Sequence, residues 1–370
     1  MDVTEFGAGR TSVVDRASGS RSGPPTNAAE RLRASPPLVF ADECDLLAER
    51  LAEAARGEAQ VLWGADRPWS PAGLTAEAVE ARLRTFLQTA AVLMYAASLP
   101  VVKIDRVDPH RCGGRHASAA MCQYEGAAAR LNLLRALATG GCADLRRVNQ
   151  LNREFVNASA ARSRCAGLVD EIDRALAFMH ACGKDPAELT AVEFFAAHEA
   201  RSPVCESALT RVDSRTGCPY DAWGHVIWVR RVDSACVDHL ASVRNPLGVR
   251  LTAGTGPDET RELLARIDPG RTPGRATLLV RMDVQALRDT LPAIVEKVTA
   301  EQHQVVWTWA PAPLGRESRR FDSLLAEATA FFEVHRALGT HPGGMTADLA
   351  VDPADALELA FYVAELLRTS

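Results

Sequence analysis

Short, continuous apolar runs alternate with amphipathic helical stretches along most of this chain, and that alternation admits few architectures. AQVLWGAD (59–66), LPVVKID (99–105), HVIWVRRV (225–232), GVRLTAG (248–254), ATLLVRMD (276–283), HQVVWTWAP (303–311) and MTADLAV (345–351) read as strands buried on both faces. Between them, a helix is predicted around Glu80–Ala97, with Leu83, Phe86, Leu87, Ala90, Ala91 and Met94 on one face. Further helices are predicted over Pro257–Ile267, Thr290–Glu301 and Phe321–Leu338, and DALELAFYVAELL closes the chain as another. The long block from about Glu125 to Ala200 reads as helical throughout, with Gly140 and Gly183 as C-caps. Repeated strand–helix units with apolar strands make a parallel sheet covered by helices. Seven or eight such units favour an α/β fold of the (β/α)8 TIM-barrel type over an open doubly wound sheet. No G-x-G-x-x-G and no G-x-x-x-x-G-K-[ST] follows any strand, so the marks of the nucleotide-binding sheets are missing.

Residues 1–35 are rich in Gly, Ser, Arg, Pro and Ala and are expected to form a mostly disordered arm, leaving 36–370 as one barrel. With 47% hydrophobic and 24% charged residues, the chain needs no disulfide scaffold to hold a core. The net charge of −5 argues against a general nucleic-acid binder. No apolar run is long enough to span a bilayer, and MDVTEFGAGR has no secretory core segment. The nine cysteines form no C-x-x-C and are expected to be thiols in a reducing cytoplasm. There is no H-E-x-x-H and no G-x-S-x-G elbow; His341 sits in a turn, and Trp63, Trp228, Trp307 and Trp309 read as core.

Barrel enzymes do their chemistry at the C-terminal ends of the strands. The predicted strand ends hold Asp66 and Arg67, then Lys103, Asp105 and Arg106, then Arg230 and Arg231, Arg250, and Arg281 with Asp283; Asp348 and Asp352 come last. Five of the seven predicted strands deliver an Arg or Lys near the mouth of an otherwise acidic protein. Such a focused positive pocket suits phosphate or carboxylate, which guanidinium binds as a fork. The competing reading is a structural network in which the same cations pair with Asp66, Asp105 and Asp283.

The blocks SPPLVFADECDLLAERLAEAARGEAQVLWGAD, LNLLRALATGGCADL, EIDRALAFMHACG, HEA, YDAWGH, RNPLGVRL, DPGRTPGRATLLVRM, LPAIVEKVTAEQHQVVW, FFEVHRALGTHPGG and LELAFYVAELLR resemble class II (plant-type) 3-deoxy-D-arabino-heptulosonate 7-phosphate (DAHP) synthases. The resemblance runs from about residue 36 to the end. It implies a (β/α)8 barrel with extra helices between strands two and three, and condensation of phosphoenolpyruvate with erythrose 4-phosphate at a divalent metal. It also implies a homodimer.

The motifs implied to hold that metal depart from the family. A GGDCAE-like motif with a Cys ligand becomes GADRPW, with Arg67 at the Cys position, and a CDPMHGN-like motif with a His ligand becomes WAPAPLG, with Pro313 there. The implied Glu and Asp ligands have Asp348 and Asp352 as nearest, vestigial equivalents, with the last βα unit shortened. Proline offers no lone pair and an arginine repels a cation. The implied substrate anchors are partly kept: Arg106 and Arg115 in DRVDPHRCGGRH, with Gly113 in place of a Lys, Arg250 in NPLGVR, Arg281 in VRMD, and Arg230 or Arg231 in VRR.

The leading expectation is therefore a repurposed enzyme of secondary metabolism. It would hold a small anionic metabolite with Arg67, Arg106, Arg115, Arg250 and Arg281, use Asp66, Asp105 or Asp283 as acid/base groups, and need no cofactor. One alternative is a DAHP synthase with rearranged ligands that uses Mn²⁺ or Co²⁺. The other is a non-catalytic relative that modulates a partner enzyme.

Overall fold

The computed structural model describes residues 28–64, 75–107, 116–139, 144–158, 162–184, 193–232, 234–312, 321–347 and 353–368. Eight parallel strands close into a barrel. In chain order the barrel strands are β1 (Gln60–Gly64), β2 (Val101–Arg106), β3 (Phe194–Glu199), β6 (Val226–Val229), β7 (Leu247–Thr252), β8 (Ala276–Arg281), β9 (Val306–Trp309) and β10 (Gly344–Ala347). Each pairs in parallel with its neighbours, and β1 closes the ring against β10, with Val61 opposite Gly344. The fold is a (β/α)8 TIM barrel.

Strand alternation divides the apolar residues into two sets. Val61, Trp63, Val102, Ile104, Phe195, Ala197, Val226, Trp228, Leu279 and Val306 form one buried cluster, joined by Leu47, Leu51 and Ala54 of α2 (Ala41–Ala55). This set fills the lumen, and α2 plugs its N-terminal end. The opposite parity faces outward. Leu62, Ile227, Val249, Leu278 and Trp309 join the helices α9 (Pro257–Ile267), α10 (Val284–Asp289), α11 (Leu291–Ala300), α12 (Phe321–Ala337) and α13 (Pro353–Arg368) in the largest cluster. Trp63 reaches across the lumen: a Cβ on Gly248 of β7 would lie 3.1 Å from its ring and 2.8 Å from Trp228 Cβ. Trp63, Trp228, Trp307 and Trp309 are all buried, as expected.

Three predicted features differ. The block expected to be helical from Glu125 to Ala200 contains α4 (His116–Thr139), α5 (Leu145–Ala158) and α6 (Arg162–Ala181), but it ends in barrel strand β3. An apolar run of six residues has no period that separates strand from helix, and here the neighbouring strands decide. Gly183 does lie just past α6 in the left-handed region, at φ 79°, with its N–H on His180 O; Gly140 lies outside the described residues. The predicted arm of 1–35 is helical at its end: α1 (Ala28–Ala34) buries Leu32 completely against the body of the protein. The cysteines are not all thiols, for Cys122 is disulfide-bonded while Cys44, Cys165, Cys182, Cys205, Cys218 and Cys236 are free.

Between β3 and β6 the chain makes α7 (Pro203–Leu209) and a small antiparallel pair, β4 (Thr210–Val212) with β5 (Pro219–Asp221). The helix around Glu80–Ala97 is α3 (Ala76–Ala97), capped by Thr75, whose hydroxyl accepts the Ala78 N–H. The remaining helix, α8 (Val237–Ser242), precedes β7.

Candidate functional site

The lumen parity continues to the C-terminal rim of the barrel, where it changes from apolar to charged. Two residues beyond Ile104 stands Arg106, beyond Ala197 stands Glu199, and beyond Trp228 stands Arg230. On β7 and β8 the same layer holds Arg250 and Arg281, both half-buried, and Arg281 lies beside Thr252 in the strand register. Trp228 forms the floor beneath them. The guanidinium carbons of Arg106, Arg250 and Arg230 lie 5.1, 5.5 and 5.9 Å from its ring centre. These distances suit cation–π attraction to the indole face.

Glu199 organises the group. It forms a buried ion pair with Arg106 and accepts from Arg230 at 2.5 and 2.9 Å and from Arg201 at 3.0 Å. Burial works to raise its pKa, but the Arg230 hydrogen bond and the charges of Arg106, Arg201 and Arg230 outweigh that and hold it at about 2. Arg250 is pushed the other way, down to about 10, first by burial and then by Arg230 and Arg106. Among the described residues, the layer brings Arg106, Arg201 and Arg230 onto Glu199, with Arg250 beside them and Arg281 on the next strand. Guanidiniums gathered over an indole floor can hold an anion by forked hydrogen bonds.

The exposures grade the predicted residues. The Arg106 side chain is 0% exposed and lies beneath Glu199, so it supports the rim from below. Arg230 has 42% of its side chain exposed and Arg201 25%, and these two face solvent with Arg250 and Arg281. Arg231 is exposed beyond the strand end.

Two predicted acid/base residues are elsewhere. Asp105 has the outward parity: it takes two bonds from Arg82 of α3, one of 2.9 Å, and accepts the Arg106 N–H at 2.8 Å. Asp283 is exposed at the N-cap of α10, where it accepts the Ala286 N–H at 2.9 Å. Asp105 thus pairs with an arginine of a surrounding helix, and Asp283 caps the helix that follows β8. Lys103 also has the outward parity, donating to Val101 O at 2.8 Å, and burial lowers its pKa to about 8 against the opposing pull of Glu193. His341 bonds Gln60 at 3.0 Å, at the far end of the barrel. Asp66, Arg67, Arg115, Pro313, Asp348 and Asp352 lie outside the described residues.

The residue that sequence reading missed is Glu199, and it was missed because its strand was read as helix. The block HEA carried the signal, since a strand ending there puts its carboxylate at the rim.

The positions implied to hold a metal, Arg67, Pro313, Asp348 and Asp352, lie outside the described residues. Among the described residues no three His, Cys, Asp or Glu side chains are grouped to hold one, and the rim carboxylate is already engaged by three guanidiniums.

Two proteins of other organisms are similar to this chain in sequence along most of its length. A phospho-2-dehydro-3-deoxyheptonate aldolase of Streptomyces coelicolor is 40% identical over 418 residues, covering 91% of each chain. The phospho-2-dehydro-3-deoxyheptonate aldolase AroG of Mycolicibacterium smegmatis is 35% identical, over 91% of this chain and 89% of the relative. An alignment of 418 residues exceeds the 370 of this chain, so the first relative carries segments absent here. The class-II DAHP synthetase family profile matches residues 22–111 and 114–360. With that match across most of the chain on a closed (β/α)8 barrel, the protein belongs to the class-II DAHP synthetase family.

Proposed function

We propose that this member of the family is an enzyme that binds a small anionic metabolite, bearing phosphate or carboxylate, in the arginine-lined mouth and acts without the family's divalent metal. The observation that carries the reading is the rim layer itself: Arg106, Arg201 and Arg230 gathered on Glu199, with Arg250 beside them over the Trp228 indole. Burial and the neighbouring Arg230 and Arg106 work against the charged form of Arg250, and an anion placed beside it would favour that form. In the family resemblance Arg67 and Pro313 replace two ligands, which supports loss of the metal. A metal at this place would act as a Lewis acid on a carbonyl. Here the chain's own groups bind and orient the anion, with Glu199 setting the guanidinium positions.

A second reading has specific support, because both relatives carry the name of an aldolase that makes the family product. The chain would then condense phosphoenolpyruvate with erythrose 4-phosphate using Mn²⁺ or Co²⁺. Loss of phosphoenolpyruvate in the presence of erythrose 4-phosphate and Mn²⁺ separates the two. The purified chain is compared with its Arg67→Cys, Pro313→His double variant. No turnover by the unmodified chain is expected. Turnover that stops on chelation would establish the second reading and overturn the first.

A further inference from the structure

The end of β2 is held from outside the barrel by two arginines that lie outside the rim layer described above. Arg82 of α3 grips Asp105, and Arg130 of α4 donates to the carbonyl of Val107. Arg106 lies between these two anchored residues, with its side chain turned to the lumen and paired with Glu199. Arg130 is 0% exposed, which is rare for an arginine and places its charge wholly inside the protein. A buried guanidinium costs free energy to desolvate, so it persists where its hydrogen bonds fix something. Here it fixes the residue directly after Arg106, where the strand ladder makes its last bond, from Val107 N–H to Ala197 O at 3.2 Å.

We infer that Arg130 is a positioning residue: from the helical insertion after β2 it clamps the end of that strand and so sets Arg106, and through it Glu199, under the mouth. The effect on ligand affinity rests on the anion-binding reading above; the clamp itself does not. Helix α4 therefore contributes to the site through one buried side chain and without touching the ligand.

Arg130→Met keeps the apolar stem and removes the guanidinium, and Arg130→Lys keeps the charge and one donor on a shorter reach. Arg275→Met is the matched control. Arg275, partly buried, also donates to backbone carbonyls, Asn245 O and, at 2.5 Å, Val243 O, but it lies at the opposite end of the barrel. Two readouts are taken on the full chain: amide hydrogen exchange across residues 104–107, and affinity for inorganic phosphate. In Arg130→Met, exchange there is expected to speed about tenfold, with an intermediate rate in Arg130→Lys and no local change in Arg275→Met. Phosphate affinity is expected to fall about tenfold in Arg130→Met and to stay within about twofold in Arg275→Met. Unchanged exchange in Arg130→Met overturns the clamp, as does equal exchange and equal affinity loss in the control. A parent chain that binds no phosphate, with the exchange effect intact, would instead overturn the anion-binding reading and leave the clamp standing. Should Arg130→Met fail to fold, Arg130→Lys against Arg275→Met decides by the same readouts.

Discussion

Glu199 satisfies three guanidiniums with one carboxylate, so its charge supports the fold as well as the site. Its folded pKa of about 2 lies below the ordinary carboxylate value, so its contribution is full above about pH 4.5 and is lost as pH falls towards 2. A shift of that size corresponds to about 3 kcal/mol. Glu199→Gln is expected to remove a similar amount in urea unfolding at neutral pH, since it leaves three cations short of their partner. Unchanged stability would mean that the cluster is screened by solvent. His335 titrates in the same direction over a different range. Burial, and then His341, lowers its pKa to about 3, so the unfolded chain takes up the proton first and stability falls between pH 6.5 and 3. The slope is about 1.4 kcal/mol per pH unit. His335→Gln should flatten the stability profile between about pH 4.5 and 6.5, where Glu199 is ionised in both states and adds little to the slope; a profile as steep as the parent's would exclude His335 as its cause.

At the scale of elements, barrel strands and helices follow from continuous apolar runs and one-face periodicity, and most of both were legible in the sequence. α9 spans the predicted residues, and α3, α11 and α12 differ only at their ends. β3 was not legible, because FFAAHE has no alternation and follows a long helical run. The rim arginines could be read from the strand ends, whereas the direction of Asp105 depended on the phase of β2, which its burial among partners fixes. Position alone did not separate a cap from a catalytic group at Asp283. Asp283→Ala is expected to cost about 1 kcal/mol through loss of the α10 cap and to leave anion affinity unchanged. Loss of binding in that variant would return Asp283 to the site. The close approach of β1 and β2 is equally specific. A Cβ at Gly64 would meet Asp105 Oδ1 at 1.8 Å and Asp105 Cα at 3.0 Å. Gly64→Ala should therefore destabilise the chain by about 3 kcal/mol in urea unfolding.

For the whole molecule, the net charge of −5 contrasts with a mouth dominated by guanidiniums. If the mouth binds a small anion as proposed, added salt should weaken that binding. Bound anion should also stabilise the fold, by about 2.7 kcal/mol at a hundredfold excess over Kd. The most direct measurement is calorimetric titration of phosphoenolpyruvate into EDTA-treated protein, beside Arg250→Met. Saturable binding by the metal-free chain, abolished in Arg250→Met, is the predicted result. No binding until Mn²⁺ is added would contradict an anion site that works without metal.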